Sequence, residues 1–201
     1  VTIIRQGTIS LLVIILNFTL FKYGGEISIA IYGIINRVMM FALFPVLGVT
    51  QGFLPIAGYN YGAGNKRRVL DVISLSIKSG TIIATGIFIC ILVFPSAITY
   101  VFTNDAELLA DTPRAMMIAF AATPLIAVQM VSSAYFQAIG KAVPALLLTL
   151  TKQGFCLIPL ILILPHFIGI DGIWWSFPIA DVLSAGITYW YLQKELKRTM
   201  Y

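Results

Sequence analysis

An all-α integral membrane fold with six transmembrane helices is the fold class that this sequence predicts. Hydrophobic residues occupy 59% of the 201 positions, charged residues occupy only 10%, and the mean hydropathy is +0.95. Soluble domains contain about 45–50% apolar and about 25% charged residues. The apolar runs exceed about 18 residues without strict alternation, which favours helices over the strands of a membrane barrel.

The number of helices follows from length and from the positions of charged residues. A helix needs about 20 residues to cross a hydrocarbon core of about 30 Å, so this chain can hold six spans joined by short loops. The uncharged stretches between charged residues also allow six spans. The third span is long enough to need tilt or an interfacial turn. The predicted spans are approximately 6–22, 28–54, 71–103, 114–139, 143–165 and 172–193.

The connections divide into two groups by charge, which predicts the orientation. Cytoplasmic loops are enriched in Lys and Arg. One group of connections is basic. The second group contains two cations, Lys22 and Arg114, and the acids Glu26, Asp105, Glu107, Asp111 and Asp171. We therefore expect a protein of the cytoplasmic (inner) membrane with both ends of this segment cytoplasmic. The basic group is Arg5, Lys66, Arg67, Arg68, Lys141, Lys194, Lys197 and Arg198.

Three charged residues lie near the middle of predicted spans: Arg37, Lys152 and Asp181. A charge at the centre of a bilayer costs a few kcal/mol and must face protein or water. Our hypothesis is that Asp181 faces a polar interior and pairs with Lys152 or Arg37. The alternative is a fixed ion pair that orders the bundle and binds nothing.

Polar neighbours extend this candidate substrate site. Asn36 and Gln153 add hydrogen-bonding capacity beside the charged residues, and Asn17 and Gln129 are further polar groups within spans. The alternative is that these groups only join helices, because such hydrogen bonds contribute about 0.6 kcal/mol in membrane bundles.

Enzymatic chemistry has little support in the sequence. The single histidine, His166, is poor material for a metal site or a nucleophilic triad. The two cysteines, Cys90 and Cys156, lie within apolar runs, where a thiol behaves as a small hydrophobe. We predict no catalytic residue, no metal site and no bound cofactor. The basic residues lie at the ends of apolar segments, so nucleic acid is not an expected partner.

The stretch "QGFLPIAGYNYGAGNKRRV" at 51–69 looks superficially like a phosphate-binding loop. Such a loop needs a Lys followed by Ser or Thr, whereas Lys66 is followed by Arg67. Interfacial tyrosines, glycines that allow a tight turn and a basic anchor explain the stretch better. We predict that it ends the second helix and forms a cytoplasmic connection.

This stretch also resembles the loop after the eighth helix of multidrug and toxic compound extrusion (MATE) transporters, which reads close to G-x-x-P-x-x-G-Y-N-Y-G-A-x-x-x-x-R-V. Three more pieces follow the family order: "EISIAIYGIINRV" at 26–38, "FQAIGKAVPALL" at 136–147 and "GIWWSFPIADVLSAG" at 172–186. The residues that match the loop motif are Pro55, Gly58, Tyr59, Asn60, Tyr61, Gly62, Ala63 and Arg68.

The resemblance implies a twelve-helix, inverted-V transporter of two six-helix lobes, with substrates in the cleft between them. Residues 1–201 are similar to the C-terminal lobe, so the expected partners are the lipid bilayer, an N-terminal lobe of the same polypeptide that this chain lacks, and small amphipathic or cationic substrates. The first residue, Val1 rather than Met, agrees with a fragment. The family exports such compounds by antiport with H⁺ or Na⁺.

One family feature does not carry over. Some members place coupling carboxylates in the helices that correspond to 6–22 and 114–139, and neither span has Asp or Glu in its interior. Ion coupling is therefore expected from the absent lobe or from Asp181. Two other interpretations stay open: a lipid-linked oligosaccharide flippase of the same superfamily, and a membrane scaffold that transports nothing.

Overall fold

The computed structural model describes residues 2–200, and Val1 and Tyr201 lie outside the described part. Over this range the regular structure is entirely helical. A short 3₁₀ turn covers Thr123–Leu125 and a π-helical segment covers Thr151–Leu157. The α-helices are α1 Thr2–Gly62, α2 Lys66–Val93, α3 Pro95–Phe102, α4 Ala106–Ala119, α5 Ile126–Ala138, α6 Ala142–Leu150, α7 Ile158–Ile163, α8 Pro165–Ile168 and α9 Ile170–Thr199.

Helix α1 consists of two arms that meet at Gly25. This residue has φ 68° and ψ −162°, a conformation that glycine adopts without a Cβ penalty. The arms correspond to the predicted spans 6–22 and 28–54. The second arm continues to Gly62, so most of the loop motif is the end of a helix rather than a loop. The connection between α1 and α2 is therefore shorter than predicted and covers only residues 63–65.

A tight glycine turn ends α1. Gly64 has φ 72°, its N–H donates to the carbonyl of Tyr61 at 3.1 Å, and the N–H of Asn65 donates to the carbonyl of Asn60 at 2.9 Å. This pair of bonds is the Schellman motif, which satisfies carbonyls at a helix end. Gly64 therefore makes a tight turn, as the sequence predicts.

The same motif ends α5. Gly140 has φ 77°, its N–H donates to Gln137 at 3.2 Å, and the N–H of Lys141 donates to Phe136 at 2.8 Å. The two turns share a sequence feature, because a cation, Lys66 or Lys141, follows each glycine within two residues.

The long predicted span 71–103 is divided into α2 and α3. Helix α2 ends at Val93, and Pro95 begins α3 after the single residue Phe94. Proline lacks the N–H that would continue the ladder of α2 but suits the first turn of a new helix. The long span is therefore interrupted by a turn at Phe94, and whether that turn is interfacial stays a prediction.

The predicted span 114–139 is a bent pair instead of one helix. Helix α4 begins earlier, at Ala106, and ends at Ala119, and the direction changes by 42° before the chain continues through the 3₁₀ turn into α5. Pro124 lies in that turn, where it donates no backbone hydrogen bond.

The last two predicted spans, 143–165 and 172–193, meet at Gly169. A continuous apolar helical stretch runs from Ala142 to Ile168, and α9 then extends to Thr199. A Cβ added at Gly172 would lie 2.6 Å from the carbonyl carbon of Leu164, so only glycine permits this approach of α9.

Three stretches of residues 2–200 are long and apolar enough to cross a membrane: Thr2–Gly62, Lys66–Val93 and Ala142–Ile168. The bent α4–α5 pair passes the same test as a fourth. Many large apolar side chains, such as Phe18, Phe41 and Ile82, lie exposed on the surface. A bilayer is the solvent that such a surface fits.

The interior of the described part of the chain has two large apolar clusters and a small one. The first includes Leu16, Ile35 and Phe120, and the second includes Phe53 and Phe136. The small cluster contains Val46, Ala84 and Ala127. These clusters fix the helices around the polar groups described next.

Candidate functional site

A buried ion pair joins the π-helical segment to α9. Lys152 Nζ lies 2.5 Å from Asp181 Oδ1, and the two side chains are only 19% and 4% exposed. Each of these buried charges is compensated by the other, because removal of either partner would leave an uncompensated charge inside the protein. The predicted pairing of Asp181 with Lys152 is present in the structure.

The π-helical segment Thr151–Leu157 holds two of the predicted site residues. A π turn adds one residue to the helical ring, and such bulges are frequent at functional sites. It carries Lys152 and Gln153 side by side. A Cβ on Gly154 would lie 3.4 Å from Thr8 Cγ2, an ordinary contact distance, so the first arm of α1 packs beside this segment.

A polar cavity of about 270 Å³ lies between the two arms of α1, α5 and the π-helical segment. Its two charged residues are the cations Arg5 and Lys152, and none of its described lining residues is a carboxylate. Apolar residues complete the wall. The polar lining consists of Arg5, Thr50, Gln51, Gln129, Ser133, Gln137, Thr149, Lys152 and Gln153.

A second cavity of about 390 Å³ continues the first along α5 and α6. The two share Arg5, Ser133, Gln137 and Thr149. The hydroxyls of Ser133 and Thr149 are 3.0 Å apart and hydrogen-bonded, and Thr149 also donates to the carbonyl of Ala145 at 2.9 Å. The bond between the two hydroxyls joins α5 to α6 at the cavity wall.

The structure brings three predicted site residues, Gln129, Lys152 and Gln153, to this cavity. Asp181 does not line the cavity, but it forms an ion pair with Lys152, which does. Elsewhere, Asn17 is partly exposed and Asn36 and Arg37 are exposed, and these three residues do not line the cavity. Their role in substrate binding stays a prediction.

Six polar residues of the wall lie outside the predicted site: Arg5, Thr50, Gln51, Ser133, Gln137 and Thr149. A signal for two of them, Ser133 and Gln137, was present. Gln129, Ser133 and Gln137 recur every four residues on α5, which places them on one face of the helix. Arg5 was assigned only to the basic group of the connections.

At one end of the molecule a second ion pair ties the α5–α6 turn to α9. Lys141 donates to Glu195, and Thr199 Oγ1 donates to the same carboxylate oxygen at 3.1 Å. The side chain of Glu195 is buried, whereas that of Lys141 is partly exposed. The hydrogen bond from Lys141 holds the pKa of Glu195 below its ordinary value, and burial opposes that shift.

At the other end, Arg114 Nη2 lies 2.9 Å from Asp171 Oδ2. They border an open cavity of about 650 Å³, which acidic side chains also line at Glu26, Glu107 and Asp111. No cluster of His, Cys, Asp and Glu within residues 2–200 could hold a metal ion. This cavity therefore offers an acidic surface and no metal centre among the described residues.

The family-motif residues serve helix packing and the turn. Asn60 is buried and its Nδ2 donates to the carbonyl of Ile56 at 2.8 Å. A Cβ on Gly58 would lie 3.2 Å from the carbonyl oxygen of Ala138, so α1 and α5 approach closely there. Tyr59 and Arg68 are exposed. None of the motif residues lines the polar cavity.

These features define a multi-pass helical membrane protein that encloses polar groups between its helices. The chain belongs to the MatE family, whose model matches residues 2–163. Members of this family are transporters, so the expectation that the chain is not an enzyme agrees with its family.

Curated relatives support this assignment. The chain is 29% identical over 172 residues to the multidrug export protein MepA of Staphylococcus aureus strain N315, and 27% identical to MepA of Staphylococcus haemolyticus strain JCSC1435. Each match covers 86% of this chain. The chain spans only 37–38% of the length of these relatives.

Solved structures show the same fold. The MATE multidrug transporter DinF-BH is 41% identical, with a TM-score of 0.83 over 98% of this chain and 44% of that protein. An outward-facing multidrug resistance MATE transporter of the MOP superfamily has a TM-score of 0.92 at 23% identity and the same two coverages.

Proposed function

We propose that this chain is the C-terminal six-helix lobe of a secondary active multidrug exporter that expels amphipathic or cationic compounds in exchange for H⁺ or Na⁺. The observation that carries the proposal is the polar cavity at Lys152, which lies between helices of a bundle with a lipid-compatible surface. The names of the relatives and the 37–44% coverage of their chains support it.

Helix lengths support six spans. Helix α1 has 61 residues, about 90 Å if straight, which is three times the hydrocarbon thickness, and it breaks at Gly25. Its two arms count as two spans. We assign four more spans to α2, α4–α5, the stretch from Ala142 and α9, although α9 is not among the stretches of residues 2–200 whose composition is apolar enough to cross a membrane. An even number puts both ends on one side, and the positive-inside rule makes that side cytoplasmic.

Charge at the cavity bears on the coupling site. Arg5 and Lys152 line the wall, whereas Asp181 is buried behind it. A cationic substrate and a coupling cation both need a negative charge, and the described wall supplies none. We therefore propose that the other lobe provides both the counter-charge for a cationic substrate and the coupling carboxylate, and that Asp181 holds Lys152 in place.

The test uses the full-length polypeptide in sealed vesicles loaded with ethidium, a fluorescent lipophilic cation. Proton and sodium gradients are imposed separately, and release of the dye is followed. We expect one gradient to drive efflux and the other to leave it at the level of protein-free vesicles. Efflux under neither gradient, in vesicles that contain folded protein, would reject the exporter.

The pair of cations at the cavity favours a second candidate, the flippase, because Arg5 and Lys152 could hold a lipid pyrophosphate. The same vesicles distinguish the two. A flippase moves a fluorescent lipid-linked oligosaccharide between leaflets and leaves ethidium inside.

The scaffold hypothesis predicts a dry interior. A cysteine in place of Gln153, in a full-length background without other cysteines, should react with a water-soluble maleimide if the cavity is wet. A cysteine at Leu16, which is fully buried in the apolar cluster, is the matched control and should not react.

A further inference from the structure

A groove between α2 and α9 lies apart from the polar cavity, and its volume is about 300 Å³. Its polar lining is made of Ser74 and Lys78 on α2 and of Tyr189 and Gln193 on α9. All four can donate a hydrogen bond, and no described lining residue is a carboxylate. The remaining wall is apolar and consists of Leu70, Ile73, Ile77, Leu192 and Leu196.

Lys78 is an exposed charge without an ion-pair partner among residues 2–200. It is exposed and lies within the apolar helix α2. No carboxylate of residues 2–200 forms an ion pair with it, whereas Lys141 and Lys152 each have one. A lysine on a lipid-facing helix extends its ammonium group toward the headgroups.

An aromatic residue places the groove at the membrane surface. Trp190 is exposed on α9, and Lys194 Nζ lies 5.2 Å from the centre of its ring. Tryptophans and lysines of this kind mark the headgroup level. Tyr189 and Gln193 are their immediate neighbours on α9, so the groove and Lys78 share that level.

The charge around the groove is strongly positive. The carboxylates of these two helix ends are Asp71 and Glu195, and Glu195 is already paired with Lys141. The exposed cations outnumber them: Lys66, Arg67, Arg68, Lys197 and Arg198, with Lys194 beside Trp190.

We propose that this groove binds the headgroup of an anionic phospholipid from the adjoining leaflet. The phosphate accepts from Lys78 Nζ and from the hydroxyl and amide donors of the lining, and an acyl chain lies along the partly exposed Leu70 and Ile77. Basic pockets between membrane helices suit anionic lipids for this reason. The site does not depend on the transported compound.

The test uses the full-length protein, equilibrated with equal amounts of phosphatidylglycerol and phosphatidylcholine of the same acyl chains. Native mass spectrometry counts the bound lipids. We expect phosphatidylglycerol to be retained preferentially, and Lys78→Gln to weaken its binding about fivefold, the effect expected of removing one cation near the surface. Lys78→Arg keeps the charge and should retain binding.

Lys22→Gln is the matched control, because Lys22 is also exposed but does not line the groove. Its phosphatidylglycerol binding should equal that of the wild type. Equal retention of the two lipids by the wild type, or unchanged binding in a folded Lys78→Gln variant, would overturn the proposal. The readout is binding alone, so it stands or falls separately from the proposed transport.

Discussion

Asp181 on α9 and Lys152 on the π-helical segment are 29 positions apart in sequence, and their oppositely charged atoms are 2.5 Å apart. Removal of one partner leaves the other charged and buried. We expect Asp181→Asn to lower the free energy of unfolding by about 3–5 kcal/mol, the usual cost of breaking a buried pair. Thermal unfolding of the detergent-solubilised full-length protein measures this.

The matched control for that prediction is Asp171→Asn, because Arg114, the partner of Asp171, is largely exposed and exposed pairs contribute about 0–1 kcal/mol. A double variant, Lys152→Met with Asp181→Leu, removes both charges and should recover part of the loss. Equal, small effects of Asp181→Asn and Asp171→Asn would contradict the buried pair.

Helices α2 and α5 touch at a glycine. A Cβ at Gly80 would lie 2.9 Å from the Cβ of Ala127. Gly80→Ala should therefore destabilise the protein by about 1–3 kcal/mol through overpacking. Gly86 is on the same helix, and a Cβ added there would meet no atom within 4 Å, so Gly86→Ala should be neutral or stabilising. Adding Ala127→Gly to Gly80→Ala should restore stability if the contact causes the loss.

The turn after α1 requires a positive φ. Gly64 has φ 72°, and an L side chain in that conformation costs about 1–2 kcal/mol. We expect Gly64→Ala to lower the melting temperature and Gly62→Ala, at the helical end of α1, to leave it nearly unchanged. A larger effect at Gly62 than at Gly64 would argue against the Schellman turn.

Glu195 gives the stability a dependence on pH. Its pKa is lower in the folded protein than the ordinary value of 4.5, mainly because Lys141 donates to the carboxylate. A carboxyl whose pKa is depressed by folding stabilises the protein above the ordinary value, and this contribution is lost as the pH falls through the folded value. We expect the stability advantage of the wild type over Glu195→Gln to be present at pH 7 and to shrink below about pH 4.5.

Unfolding measured from pH 7 down to about pH 3 for both proteins tests this prediction. Glu26→Gln controls for the loss of an exposed carboxylate elsewhere. An advantage of the wild type that grew on acidification would have the wrong sign and would exclude the ion pair as its source.

The fold class could be predicted from the sequence because the apolar composition indicates that a lipid bilayer surrounds the chain. The break between the first two spans was also predictable, since Gly24 and Gly25 interrupt an apolar run. Helix ends were harder. The run at 52–62 is rich in glycine and looks like a loop, yet it is helical because α5 and the second apolar cluster pack against it.

The sequence predicted how deep the candidate site residues lie within their spans, but not the direction in which their side chains point. Counting residues into each span put Arg37, Lys152 and Asp181 at one level, and only Lys152 faces Asp181. The direction of a side chain depends on helix rotation, which packing sets. The π turn that contains Lys152 has no signature in composition.

The π-helical segment makes this region sensitive to the number of residues as well as to their identity. Loss of one residue from Thr151–Leu157 would let the wide ring close to an ordinary α turn. Because the π turn takes up the extra residue locally, the helical segments on its two sides would keep their relative orientation after such a deletion. A single-codon deletion there would leave the packing of the flanking segments in place and would alter the placement of the residues within the segment, including Lys152, which pairs with Asp181 on α9.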